Sequence, residues 1–208
     1  MILLSSITFA QSTKHITPNK QQNDSLKKEI ETMCESDQKY RWMMMLGELD
    51  EQKIMDFRNG DQNLMNLRIT DVMKNKTGLS QWQKDSIGHL QDKIDSLNFL
   101  TLSGIINRYG FPQCVKAWKV STILLHASPT LMNDDFFKML MEEVKNGNLP
   151  GYEYAAMYDK MRTAKKLPEL YYVNEHFDQA TKTSHILTPI DINATNIARK
   201  EIGLKKIK

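Results

Sequence analysis

The sequence has 208 residues, of which 40% are hydrophobic and 25% charged, and its formal net charge is +3 at pH 7. This length fits one domain or two small ones and is enough to bury a core. A charge this small, carried by evenly spread lysines, argues against a nucleic-acid partner. With 9 Gly, 6 Pro and 2 Cys, the composition also excludes collagen-like, low-complexity and disulfide-framework proteins.

Residues 1–10 resemble the end of a secretory signal. The apolar or small run ILLSSITFA has small residues at Thr8 and Ala10, the two positions that signal peptidase reads, just before Gln11. It lacks a positively charged start, which is consistent with Met1 being an internal start codon inside a longer leader. We therefore expect an exported protein, periplasmic or secreted; the alternative is a frayed apolar terminus on a cytoplasmic protein. No stretch reaches the roughly 20 uncharged residues of a transmembrane helix.

A polar lead, residues 11–23, precedes a predicted single helical domain that spans residues 24–208. Asp24 and Ser25 can cap a first helix because their side chains accept hydrogen bonds from free backbone N–H groups. The apolar residues of this helix recur about one turn apart: Leu26, Ile30, Met33, Tyr40, Met44 and Leu49.

Turn residues then divide the chain into further helices. The triplet Asn59-Gly60-Asp61 is a turn signal, and Ser80 opens a helix predicted over 81–109. Gly110 ends that helix, since glycine adopts the left-handed conformation at little cost, and Pro112 just beyond prevents its continuation. More helices are predicted over 114–127, 129–144 and 152–165.

The pattern of residue types changes after Pro168. Residues 170–173 and 185–188 are aromatic or β-branched runs on either side of the polar loop DQATKTS, which predicts a hairpin. Asn193 or Thr195 then caps a final helix that stops at Gly203. The predicted fold class is mainly α: a compact multi-helix bundle with a small C-terminal β-hairpin and a final short helix.

The sequence carries few signs of a cofactor. Cys34 and Cys114 stand outside any C-x-x-C motif, so they are interpreted as structural thiols, although an oxidising compartment would permit them to pair. Metal-binding helix and calcium-loop patterns are not found, and neither are a nucleophile elbow, a phosphate loop or a dinucleotide fingerprint. We therefore predict neither a metal nor a cofactor.

Several short segments are similar to those of an uncharacterised family of bacterial proteins, a domain of unknown function common in secreted and lipoprotein-like chains of Bacteroidota. The matching segments are Asp37-Gln38 with Arg41, 95–98, 105–112, 124–127, 158–160, 168–171 and 199–204. The resemblance implies a compact helical domain and no particular activity. This chain departs from the family at Asp159-Lys160, where the family tends to have Asp-Arg. It also departs at 171–174, where the family tends to have Tyr-Gly-Thr-Gln.

One group of residues is chemically suggestive. His126 follows an apolar run, so its imidazole needs a partner if it is buried. Asp37 and Arg41 are one helical turn apart, and so are Asp159 and Arg162. Two acid–guanidinium pairs that met around a histidine would form a general-base or anion-binding site. Ordinary surface ion pairs and a hydrogen-bonded core histidine are the competing, purely structural interpretation.

These residues give the candidates for a functional site. His126, Asp159 and Arg162 are the candidate catalytic residues. The candidate binding residues are Asp37, Arg41, Asp95, Asn98 and Tyr171. The favoured hypothesis is a non-enzymatic binding or interaction module of the cell envelope, with an envelope protein or a small molecule as partner. The alternative is a hydrolase-like enzyme that uses His126 with Asp159 in a cleft.

Overall fold

A computed structural model describes residues 15–76, 78–178, 181 and 183–208. Helices make up 66% of the model, which confirms the predicted fold class. The described helices are α1 (Lys20–Leu46), α2 (Glu51–Asn59), α3 (Gln62–Met73), α4 (Gln81–Tyr109), α5 (Ala117–His126), α6 (Asp134–Lys145), α7 (Gly151–Ala164) and α8 (Ile192–Glu201). Strands β1 (Glu175–Asp178) and β2 (Thr183–Ile186) form an antiparallel hairpin between α7 and α8. The predicted signal, residues 1–10, lies outside the described residues.

The first helix begins earlier than its sequence indicated. Asn19 is the N-cap of α1. Its side-chain oxygen accepts a hydrogen bond from the N–H of Gln22, and its own N–H donates to the side-chain oxygen of Gln22, both at 2.9 Å. This capping box satisfies two backbone N–H groups at the start of the helix. Asp24 and Ser25, the predicted caps, lie inside α1 instead. Part of the predicted polar lead is therefore helical. By contrast, α4 runs from its Ser80 cap to Tyr109 as predicted.

The hairpin is present, but its first strand lies further along the chain than predicted and its second strand begins two residues earlier, at Thr183. Residues 170–173 do not form a strand, for two reasons. The carboxylate of Asp159 accepts hydrogen bonds from the N–H groups of Leu170 and Tyr171. In addition, the backbone of Tyr172 is left-handed, with a φ of 50°. Neither is compatible with strand pairing. The first strand instead begins at Glu175, which pairs with Ile186. Three residues of the predicted loop, 179, 180 and 182, are outside the described residues.

The cap of the last helix also differs from the prediction. Asp191, rather than Asn193 or Thr195, is the N-cap of α8, and its side chain accepts the N–H groups of Asn193 and Ala194. Thr195 is buried inside the helix. The chain after α8 turns at Gly203, whose φ is 75°.

Two hydrophobic clusters stabilise the bundle, and both involve the long pair α1 and α4. The main core joins the first half of α1 and the second half of α4 to α5, α6, α7 and α8, with Phe136, Phe137 and Met157 almost completely enclosed. The second, smaller core joins the end of α1, α2 and the start of α4 through Met43, Leu46, Ile54 and Ile87. The middle of the α1–α4 pair lies between these cores.

The remaining features concern the cysteines and the membrane. Cys34 and Cys114 are free thiols, and burial raises the pKa of each. Within the described part of the chain, none of the helices combines the length and the apolar character needed to cross a bilayer.

Candidate functional site

Arg41 forms the centre of a polar group between the two hydrophobic cores. Its Nη1 and Nη2 lie 3.1 and 2.7 Å from Oδ1 and Oδ2 of Asp95, so the guanidinium of α1 meets the carboxylate of α4 through two parallel hydrogen bonds. Nη1 also lies 3.2 Å from Oδ1 of Asp37, one turn earlier on α1. Bidentate pairs of this kind are geometrically specific, so this contact fixes the register of α1 against α4.

His126 joins this group from the end of α5. Its Nδ1 lies 2.9 Å from both carboxylate oxygens of Asp37, which is almost completely buried, while 29% of the His126 side chain is exposed. We name Asp37, Arg41, Asp95 and His126 the central cluster. The structure therefore brings Asp37, Arg41 and His126 together. Asp95 is the second carboxylate that contacts Arg41.

Two glutamines complete the hydrogen bonds of the central cluster. The Gln38 side chain donates to Oδ2 of Asp37 at 2.7 Å, and the Gln91 side chain donates to Oδ1 of Asp95 at 2.6 Å. Buried carboxylates are costly unless neighbouring donors satisfy their oxygens. The carboxylates of the central cluster are therefore well satisfied, and His126 and Arg41 are its partly exposed members, at 29% and 26%.

The second predicted pair does not join this network. Asp159 is fully buried, and its Oδ1 accepts the N–H groups of Leu170 and Tyr171 at 2.7 and 3.0 Å. Burial raises the pKa of Asp159, and the backbone hydrogen bonds oppose that shift. Arg162 donates through Nε to the carbonyl of Pro168. The hypothesis that both pairs meet at His126 is not supported, because Asp159 and Arg162 instead hold the segment after α7.

Two further candidate residues have structural partners. Asn98 donates to the carbonyl of Met33 at 3.2 Å and so links α4 to α1. Tyr171 packs edge-on against Tyr154 and Tyr158, with ring centroids 5.9 and 5.8 Å away. Burial raises the pKa of Tyr171, which keeps its hydroxyl neutral. Tyr171 lies within the packed interior, whereas Asn98 lines an open pocket between α1 and α4.

A cavity of about 470 Å³ opens between the end of α5, the end of α7 and the segment that leads into β1. We name it the side cavity. Its apolar lining includes Leu125, Pro129 and Ala164, and its polar lining includes Lys160 and His176. This size and mixture are typical of small-molecule sites, in which apolar walls supply contact area and a few polar groups fix orientation.

Lys160 connects the side cavity to the central cluster. Its Nζ donates a hydrogen bond to the carbonyl of Leu125, the residue before His126. Burial lowers the pKa of Lys160, and the positive charge of Arg41 lowers it further, while Asp95 acts in the opposite direction. A lysine in these surroundings has a larger fraction of neutral amine at neutral pH than an exposed lysine does.

Glu169 and His176 form an acid–imidazole pair in the lining of the side cavity. Oε1 of Glu169 lies 2.7 Å from Nε2 of His176, and the carboxylate is buried while 32% of the His176 side chain is exposed. Burial raises the pKa of Glu169, and the hydrogen bond to His176 partly offsets that rise. The pair can therefore hold or release a proton next to a bound molecule.

Sequence reasoning missed Lys160, Glu169 and His176. Glu169 and His176 are seven residues apart in an irregular segment, where no helical or strand period brings side chains together. The sequence does give one indication that Lys160 is partly buried: it lies on α7 between Asp159 and Met161, which both face inward. Among the described residues, no group of three or more histidine, cysteine, aspartate or glutamate side chains is placed to hold a metal ion.

Comparison with known proteins does not extend this description. No family model matches the chain, and no curated protein or solved structure gives a significant match. The resemblance to a family of secreted helical proteins therefore stays a prediction.

Proposed function

We propose that this protein is a non-enzymatic binding module whose ligand is a small molecule held in the side cavity. One observation carries the proposal: apolar walls at Leu125 and Ala164 converge with the amine of Lys160 and the Glu169–His176 pair around about 470 Å³. A molecule with an apolar body and one polar end fits both parts of this lining.

A cavity-filling variant tests this proposal. Ala164 is exposed at the last turn of α7 and lines the cavity, so Ala164→Trp fills the space without removing a core side chain. Ala194→Trp is the matched control, since Ala194 is an exposed alanine in the first turn of α8. The probe is a library of small aromatic and aliphatic acids, amines, alcohols and carbonyl compounds, and the measurement is ligand-observed NMR.

The two variants separate the outcomes of this screen. Compounds that bind the wild type and the Ala194→Trp protein but not the Ala164→Trp protein support the side cavity as the binding site. The proposal is wrong if no compound binds at millimolar concentration, or if Ala164→Trp leaves all binding unchanged.

We further propose that the protein acts in the cell envelope after export. The support is the small-residue pattern at Thr8 and Ala10, just before Gln11. Mass spectrometry of the protein recovered from fractionated cells tests this proposal. A mature chain that begins at Gln11 in the periplasm or medium is expected, and an intact 1–10 segment on a cytosolic product contradicts it.

A second candidate function is hydrolysis with His126 as general base. The favouring observation is that Asp37 holds Nδ1 of His126 at 2.9 Å while the ring remains partly exposed, an arrangement that can leave Nε2 to accept a proton. Asp37, rather than the predicted Asp159, is the carboxylate that holds the imidazole of His126. Hydrolysis of p-nitrophenyl esters that is lost in His126→Gln and kept in His89→Gln would support this candidate. Equal rates in the wild type and His126→Gln would exclude it for these esters.

A further inference from the structure

Lys160 combines three features that are not found together at any surface lysine in the described part of the chain. It lines the side cavity, its Nζ is held by the Leu125 carbonyl, and its surroundings include the guanidinium of Arg41. Lys138 and Lys165, by comparison, are exposed and pair with Asp135 and Asp134 on the surface. An amine beside another cation and out of water loses its proton more readily, and its lone pair then becomes a nucleophile.

The lining of the side cavity also includes a proton donor. Glu169 is buried and its pKa is raised by that burial, so its acid form persists to a higher pH than that of an exposed glutamate. His176 lies 2.7 Å from Glu169 and is partly exposed, so it can exchange the proton with solvent. An amine and an acid on one apolar cavity are the two groups that imine formation requires.

We infer that Lys160 binds its ligand covalently and reversibly, as an imine with an aldehyde or ketone group of a molecule seated in the side cavity. This inference rests on the proposed ligand site. The neutral Nζ attacks the carbonyl carbon and forms the C–N bond, while the carbonyl oxygen takes up a proton and Nζ loses one. The Glu169–His176 pair then protonates the resulting hydroxyl, the C–O bond breaks, and water leaves. The products are a protonated imine and one water molecule, with no change in oxidation state.

Reductive trapping with benzaldehyde tests the inference. The full-length protein is incubated at pH 7 with benzaldehyde and cyanoborohydride, which reduces an imine to a stable benzylamine, and peptide mass mapping follows the benzyl group at each lysine. Lys160 is expected to be modified at least severalfold faster than Lys138 or Lys165, because its amine lines the cavity that holds the aldehyde and burial lowers its pKa. Lys160→Met is expected to abolish the fast modification, and Lys165→Met is the matched control.

Benzyl alcohol separates this inference from the proposed binding function, because it has the same apolar body and no carbonyl group. If benzyl alcohol binds in an Ala164-dependent manner and Lys160 is labelled no faster than Lys165, the imine inference is wrong and the binding proposal stands. If benzyl alcohol does not bind and Lys160 is not labelled preferentially, both fail for this ligand class. Preferential labelling that Ala164→Trp suppresses supports both.

Discussion

His15 and Glu143 lie in direct contact, with Nε2 2.9 Å from Oε1, and the glutamate side chain is completely buried. Glu143 belongs to α6, whereas His15 precedes α1, so the pair holds the start of the described chain against the main core. A second contact, from the N–H of Ile16 to the carbonyl of Arg108 at 2.9 Å, fastens the same segment to the end of α4.

The Glu143→Gln variant is expected to lose about 1–3 kcal/mol of unfolding free energy, because a neutral amide replaces a completely buried carboxylate that faces the imidazole of His15. Oε2 of Glu143 also accepts a hydrogen bond from Asn148 at 2.9 Å. Urea unfolding followed by circular dichroism measures the change. Glu142→Gln, on the exposed neighbouring position, is expected to stay within about 0.5 kcal/mol of the wild type. Equal losses in the two variants would contradict the importance of the buried pair.

Replacing Arg41 with Met is expected to destabilise the protein by about 3 kcal/mol, because the buried carboxylates of Asp37 and Asp95 lose their cation. Lys39→Met is the matched control on the same helix, and it removes only an exposed pair with Glu51, so a change below about 1 kcal/mol is expected. Chemical denaturation at low and high salt measures both. A small loss in Arg41→Met would show that the central cluster does not hold α1 to α4.

The raised pKa of Asp159 predicts a specific pH dependence. A carboxyl group whose pKa is raised on folding stabilises the folded state while it is protonated, and this contribution is lost as the pH rises through the folded pKa. Asp159→Asn keeps an oxygen acceptor for Leu170 and Tyr171 but does not ionise. Its unfolding free energy, relative to wild type, is therefore expected to increase as the pH rises from about 4.

The exposed Asp134 provides the control for this titration. Asp134→Asn makes the same change of side chain at a carboxylate that is 78% exposed, so it removes no buried carboxyl group. A pH-independent difference between Asp159→Asn and wild type would show that burial does not penalise the Asp159 carboxylate.

Gly151→Ala is expected to destabilise the protein by about 1–3 kcal/mol, because an added Cβ at the start of α7 would overlap the carbonyl oxygen of Ile202. Gly104, in the interior of α4, has open space where its Cβ would lie. Gly104→Ala should therefore stabilise the protein by about 0.5–1 kcal/mol through a higher helix propensity. Thermal unfolding compares the two, and a loss in both would contradict the specific importance of the close approach of Ile202 to Gly151.

Contacts between residues close in the chain were predictable. The Ser80 cap and the Gly110 end of α4 follow from local hydrogen bonding and from the conformational freedom of glycine. The salt bridge of Asp37 with Arg41 follows from helical spacing alone. The hairpin was predicted to exist but with its first strand misplaced, since the buried Asp159 redirects the backbone of residues 170–171.

The periodicity of the sequence determined that the chain forms a mainly helical bundle, because the spacing of apolar residues is a property of each helix by itself. Only the tertiary structure decided that His126 meets Asp37, 89 residues earlier, and that Lys160 shares a cavity with Glu169 and His176. Those contacts depend on how helices pack against one another. No local pattern records which polar side chains packing will bring together, so the candidate site had to be found in three dimensions.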